Sequence, residues 1–235
     1  MKVYLRAVVP CLGIALFLVS GTASAQRSLA QTDAAFRTAP AFYVGAGAGG
    51  GHLSFDNSDF NIAGQLNAAG LCTGCTQSWN KSTWELAWKV FAGYRFTPHI
   101  GIEGSYVDLG SFKQKFTIGG GGTGNLNADY RPTSWNAAVV GRLPFPESGL
   151  YAQGKIGAAF TTVRNSLKGN VLGVPIDQTE RDSKTNLYLG AGLGYDFASG
   201  LGLIAEYEYF GKVGNSSDTG RATADLISVS AMMRF

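Results

Sequence analysis

Residues 225–235, at the C-terminus, alternate between a mainly apolar and a mainly polar set of side chains. One set ends on Phe235, and the other includes Ser228, Ser230 and Arg234. Successive side chains of a β-strand point to opposite sides of the sheet. The segment therefore predicts a strand with one apolar face and one polar face.

Residues 1–25 have the three parts of a secretory signal peptide. Lys2 and Arg6 give a positive start, residues 7–19 are apolar, and Ala23-Ser24-Ala25 supplies a cleavage site. The apolar run is shorter than the roughly 20 residues that a membrane-spanning helix needs, and the alternative is a short buried helix. We predict cleavage before Gln26, export to an oxidising compartment, and a short periplasmic segment over residues 26–40.

The charge of the chain excludes one class of partner. Of 19 basic residues, Lys2 and Arg6 belong to the predicted leader, so the mature part carries 17 bases against 16 acids. A chain so close to neutral gives no support for nucleic-acid binding.

Alternation of the same kind recurs along residues 41–235, separated by turn and loop chemistry. It predicts eight strands: 42–55, 84–96, 100–112, 133–145, 150–163, 186–197, 201–211 and 223–235. Short connections alternate with long polar ones, which are 56–83, 113–132, 164–185 and 212–222. This pattern is typical of an all-β, eight-stranded antiparallel up-and-down transmembrane β-barrel, with both termini in the periplasm. The alternative is a soluble lipocalin-type barrel with its apolar side chains inside.

Charged side chains fall on the smaller or more polar face of the predicted strands. A Lys or Arg facing lipid at the bilayer midplane costs about 2–4 kcal/mol, so we place these residues in the lumen. The predicted lumenal charges are Lys89, Arg95, Glu103, Arg142, Lys155, Glu206, Glu208 and Arg234. They could line an ion path, but an eight-stranded barrel is just wide enough for its own side chains. We expect a plug in which Glu103, Glu206 and Glu208 balance the surrounding bases.

Aromatic residues cluster at both ends of the predicted strands and favour the membrane barrel, because such girdles mark the two interfaces. Near the short turns lie Tyr94, Phe96, Phe145, Tyr195, Phe197 and Phe235. Toward the long loops lie Trp88, Tyr106, Trp135 and Tyr209.

Residues 91–110 (FAGYRFTPHIGIEGSYVDLG), 189–197 (LGAGLGYDF) and 205–209 (AEYEY) resemble strands of the OmpA-like outer-membrane barrel. The resemblance implies a small outer-membrane protein with structural, adhesive or phage- and host-contact roles. It implies that Glu103 and Lys155 match the family's inward acid and base. The family's basic residue on strand seven is replaced by Ile204. The chain ends at Phe235, so the family's peptidoglycan-binding domain is not expected here.

Cys72 and Cys75 form a Cys-x-x-Cys pair in the first long loop. A zinc site needs four ligands, and no second pair exists. A redox motif would be expected in a thioredoxin-like context. We predict a local disulfide, with no metal and no cofactor.

His52 and Ser54 form a His-x-Ser pair with Glu85 nearby, as in barrel enzymes that deacylate lipid A. Simple alternation puts His52 on the lipid side and Glu85 on the lumenal side. We therefore predict no enzyme activity. The glycine-rich residues 118–124 lack the Lys and Ser/Thr of a phosphate loop, and the long loops predict no polybasic patch.

The sequence thus predicts an integral outer-membrane protein with a role in membrane integrity and surface contact. A narrow pore is the first alternative. A surface adhesin or immune-evasion factor that uses the first and third long loops is the second, and a lipid A-modifying enzyme is the third. Expected partners are membrane lipid and lipopolysaccharide, the insertion machinery with its periplasmic chaperones, and a host or phage surface ligand. Phe235 is predicted to be part of the signal that the insertion machinery reads.

Overall fold

The computed structural model describes residues 40–55, 62–120, 124–146, 148–171, 173–214 and 221–235. The predicted leader lies outside this part of the chain. The strands are β1 (Ala41–Phe55), β2 (Thr76–Lys81), β3 (Trp84–Arg95), β4 (Ile100–Asp108), β5 (Phe112–Gly119), β6 (Gly124–Pro144), β7 (Leu150–Val171), β8 (Val174–Asp196), β9 (Leu201–Val213) and β10 (Ala222–Arg234). One helix, α1 (Ile62–Ala68), precedes β2.

Eight of these strands close a barrel. Antiparallel pairing runs from β1 through β3, β4, β6, β7, β8, β9 and β10, and β10 pairs back onto β1. The terminal residue completes the seam, because Phe235 donates its backbone N–H to the carbonyl of Phe42 at 2.9 Å. The predicted eight-stranded antiparallel barrel is confirmed. Closure leaves the barrel without an exposed sheet edge.

Strands β2 and β5 continue the second and third barrel strands beyond short interruptions. Backbone hydrogen bonds cross these interruptions, from Leu53 to Thr83 at 3.0 Å and from Ser82 to Lys113 at 3.1 Å. The barrel wall therefore extends past one rim, which we call the extended rim. The opposite, short-turn rim carries the connections after β3, β6 and β8.

The prediction of a long loop is wrong for two segments of the chain. Residues 113–132 and 164–185 are almost entirely strand, because β6 pairs with β5 and β7 over Gly124–Tyr130, and β7 and β8 form one long hairpin. The two segments have a polar composition because their outward residues lie beyond the apolar band of the barrel, where they face water. Their inward residues, such as Phe116 and Leu126, are apolar and buried.

The face assignments of the strands agree with the structure. Outward apolar side chains such as Leu86, Val139 and Leu193 are exposed, whereas inward Lys89 and Glu208 are buried. Phe145 and Trp135 lie ten residues apart on opposite aromatic girdles. At 3.3 Å per residue and a tilt near 40°, that is about 25 Å of height, the height of the apolar band of such barrels.

The half of the interior toward the extended rim is an apolar core. Every barrel strand contributes to it, and Ala63 of α1 packs against it with Cys72 and Cys75. Aromatic rings meet across it, with centroids 5.5 Å apart for Phe55 and Tyr130 and for Tyr188 and Phe210. Within the described residues, no helix has the length and apolarity to cross a bilayer.

Candidate functional site in the barrel lumen

Five buried charges meet at the middle of the lumen, and we call them the central cluster. Lys89 of β3 contacts Glu206 at 2.5 Å and Glu208 at 2.7 Å. Lys155 of β7 contacts Glu103 and Glu206, each at 2.7 Å. All five side chains are at most 3% exposed. The cluster joins β3, β4, β7 and β9 across the lumen.

Polar side chains complete the central cluster, which has two lysines against three glutamates. Tyr43 donates its hydroxyl to Glu103 Oε2 at 3.1 Å, Tyr188 donates to Glu208, and the Gln153 amide donates to Glu206 Oε1 at 2.8 Å. Each carboxylate thus receives a neutral donor besides its lysines. Such donors are what a buried charge needs when ionic partners do not balance it.

A second group of charges, the arginine cluster, lies toward the short-turn rim. Asp196 Oδ2 accepts from Arg142, lies 3.3 Å from Arg234 Nη1, and lies 3.9 Å from Arg95 Nη1. Arg142 also stacks on Tyr151, with 3.3 Å between the guanidinium carbon and the ring centroid. The expected balance of these arginines by the three glutamates is therefore not what the structure shows.

Asp196 was missed by sequence reasoning. It follows Gly190, Gly192 and Gly194 at two-residue spacing, so the alternation that placed those glycines inside also places Asp196 inside. A tyrosine fills the space that a glycine leaves, because a Cβ on Gly194 would collide with the ring of Tyr151.

The two clusters are separated by a cavity of about 30 Å³. Arg95, Arg142 and Arg234 line it from one side, and Glu103 and Glu206 from the other. A cavity needs about 10–15 Å³ to hold one water, so this space suits one or two water molecules and no continuous water column. Among the described residues that line it, Arg95 has a side-chain nitrogen, Nε, with no hydrogen-bond partner in the protein, which suits such a water.

The predicted Cys72 and Cys75 are joined in a disulfide, with Cα atoms 5.9 Å apart. Asn67 fixes the loop, because its side chain exchanges hydrogen bonds with the backbone of Cys75 at 2.9 and 3.0 Å. These two hydrogen bonds thus hold the end of α1 beside the disulfide loop at the extended rim. Phe235 lies at the other rim and is 72% exposed.

His52 and Glu85 lie on opposite faces of the barrel wall, as alternation predicts. The partner of His52 is Asp225 on β10, with Nδ1 and Oδ1 3.1 Å apart, and its ring lies 4.7 Å from that of Trp84. No hydrogen bond joins His52 to Ser54 among the described contacts. In the described part of the chain, no group of three or more His, Cys, Asp and Glu residues is placed to hold a metal ion.

A closed barrel that is apolar outside, charged inside and ringed by aromatic residues is an integral outer-membrane β-barrel. Residues 14–235 match the family model for the outer membrane protein beta-barrel domain, and the chain belongs to this family. It is an integral protein of the outer membrane, so the short-turn rim is periplasmic and the extended rim extracellular.

The solved structures with similarity to this chain include those of Ail, OprG and Neisserial surface protein A. Ail of Yersinia pestis, in complex with the heparin analogue sucrose octasulfate, has 17% identity, covers 84% of this chain and 99% of its own, and gives a TM-score of 0.45. OprG of Pseudomonas aeruginosa has 12% identity, with 84% and 97% covered and a TM-score of 0.44. Neisserial surface protein A has 16% identity, with 83% and 97% covered and a TM-score of 0.39. None of the curated proteins matches the sequence.

Proposed function

We propose that the protein is a structural outer-membrane barrel with a closed lumen, which supports the membrane and presents an extracellular surface for contact. The observation that carries the proposal is the filling of the lumen by three successive layers. These are the arginine cluster, the central cluster and the apolar core. Conduction would require an ion to pass all three.

Opening the central cluster is costly. Separating Lys89 from its glutamates would leave charges that are about 1% exposed without partners. Removing one partner from a buried ion pair costs about 3–5 kcal/mol. The apolar core lies beyond it toward the extended rim, so rearranging the charges alone would not make a pore.

Planar-bilayer recording tests the closed lumen. The refolded protein should give no stable unitary conductance under conditions in which a porin control conducts. Heat-modifiable mobility on gels shows that the inserted protein is folded. A stable conductance that disappears in Glu103→Ala would refute the closed lumen and support the narrow pore.

The contact role is supported by the β7–β8 hairpin, whose outer part projects past the paired end of β9. Shortening this hairpin by replacing residues 166–179 with a two-residue turn should reduce whole-cell binding to host surfaces and leave barrel folding intact. Unchanged binding would remove the hairpin from the contact role.

Lipid A mass spectrometry of cells with Ser54→Ala should show no change, because the proposed role involves no enzyme.

We propose in addition that Phe235 is part of the signal read by the insertion machinery. Its exposed ring stands beside the β1–β10 seam, which closes last if the strands assemble in order. Deleting Phe235 should lower the amount of inserted barrel in cells and leave refolding in detergent almost unchanged. Normal insertion of the deletion variant would contradict this role.

A further inference from the structure

The strand register brings six basic side chains to one outward face beyond the extracellular girdle. Arg131 on β6 lies opposite Arg164 on β7, which lies opposite Arg181 on β8. Farther from the membrane, Lys115 and Lys168 flank Asn127. We call this set the basic face: Lys113, Lys115, Arg131, Arg164, Lys168 and Arg181.

Sequence inspection missed this face because acids and bases alternate along the strands. On β8, Arg181 points outward, whereas neighbouring Glu180 and Asp182 point to the other side of the hairpin. The segments therefore look nearly neutral when read as loops. Strand pairing places the bases on the outward face and the neighbouring acids on the inward face. The expectation of no polybasic patch is therefore wrong.

The basic face has a net positive charge. Three acids share it: Asp129 accepts from Arg131 at 2.9 Å, Asp177 pairs with Lys168 at 3.2 Å, and Asp108 accepts from the backbone of Gly110 at 2.9 Å.

Among the described residues, Lys115, Arg164 and Arg181 have no ion-pair partner, whereas Lys113 lies opposite Asp129. Like charges directly opposite on neighbouring strands repel. The row Arg131–Arg164–Arg181 is thus a place where an anion from outside the protein would relieve repulsion.

The height of the basic face above the extracellular girdle indicates which anion it meets. Trp135 and Phe160, opposite each other, belong to the extracellular girdle and are 65% and 51% exposed. Arg131 lies four residues before Trp135, which is about 13 Å along the strand and about 10 Å in height at the usual tilt. Long basic side chains bend toward the headgroup layer. The guanidinium groups therefore reach the level where outer-leaflet headgroups lie.

A row of hydroxyls lies between the girdle and the arginines. Thr133 lies opposite Thr162, and Thr162 Oγ1 lies 3.0 Å from Ser183 Oγ. Hydroxyls suit sugar rings, and guanidinium groups bind phosphate with two parallel hydrogen bonds. The face also continues the lipid-facing surface of the same strands, so membrane lipid meets it before a soluble polymer does.

We propose that the basic face binds the phosphate groups of an outer-leaflet phosphorylated glycolipid, of the lipopolysaccharide class, against the outer wall of β6, β7 and β8. The binding rests on the outer-membrane location and does not depend on whether the lumen is closed. A failure here therefore leaves the conductance test unaffected.

Titration of the full protein in zwitterionic detergent micelles with bisphosphorylated lipid A tests the proposal, read by fluorescence and by native mass spectrometry. Each basic residue near an anionic surface contributes roughly five-fold in affinity, so Arg164→Gln with Arg181→Gln should weaken binding about 30-fold. The matched control, Lys81→Gln with Lys184→Gln, removes the same charge from the inward side and should bind like the wild type. Added salt should weaken the wild type more than the arginine variant.

Four results would overturn the proposal. The first is equal affinity of the wild type and the arginine variant. The second is equal affinity for lipid A and its dephosphorylated form. The third is binding of heparin without binding of lipid A, which would assign the face to a soluble sulfated polymer. Inorganic phosphate that binds as tightly as lipid A would assign it to free phosphate instead. Heat-modifiable mobility checks that every variant is folded.

Discussion

Replacing Lys89 by methionine should destabilise the barrel by about 3–5 kcal/mol. Lys89 is 1% exposed and contacts Glu206 and Glu208 at 2.5 and 2.7 Å. Without it, Lys155 alone faces three glutamates. Methionine nearly preserves the side-chain volume, so the loss reports the unpaired charge more than a cavity.

The assay is urea unfolding of the protein in phospholipid vesicles, followed by tryptophan fluorescence and by heat-modifiable gel mobility. Val90→Met is the matched control, because Val90 is the next residue and points to lipid, and it should cost less than about 1 kcal/mol. Adding Glu208→Gln to Lys89→Met restores the original net charge of the cluster and should recover part of the loss. A loss below about 1 kcal/mol for Lys89→Met, or no recovery in the double variant, would refute the reasoning.

Three further predictions test other parts of the structure. Gly194→Val should cost about 1–3 kcal/mol in the same urea assay because it collides with Tyr151, whereas lipid-facing Gly104→Ala should cost far less; equal costs would contradict the packing. Alkylation before and after reduction should label Cys72 and Cys75 only after reduction, as read by intact mass; labelling without reductant would exclude the disulfide. Burial raises the pKa of Asp129, but hydrogen bonds from Arg131 and Ser111 outweigh burial and hold it below its usual range. A depressed pKa gives stability that is fully present above the unfolded-state value near 3.9 and is lost as the pH falls through the folded-state value, so Asp129→Asn should cost up to about 1 kcal/mol at pH 7 and progressively less as the pH falls below about 3.9. A cost independent of pH would contradict it.

Much of the lumenal site followed from alternation and the cost of charge in lipid. Those two rules place Lys89, Glu103 and Glu206 inside, and the structure has them there. They do not say that Lys89 reaches across the lumen to β9, or that Arg95 meets Asp196. Such pairs depend on how far each strand is shifted along its neighbour around the barrel.

The extracellular half was predicted less well. The polar composition of residues 164–185 suggested a loop, because sequence reading counts all side chains together. In the structure, β7 pairs with β6 and β8, so each of its residues faces either the lumen or the outside. Apolar Val163 and Val171 pack inward, whereas Arg164 and Lys168 point outward. The apolar core and the basic face both come from this sorting.

A two-residue period and the thickness of the bilayer leave few alternatives, so the class of fold, the side of the wall on which each residue of a spanning strand lies, and the two girdles follow from the amino-acid sequence. Which charges meet, how far the wall extends beyond the membrane, and which bases share a surface depend on the closed barrel. The difference lies in strand register, because the strand period sets the direction of a side chain, whereas its neighbours are set only when all eight strands close on one another.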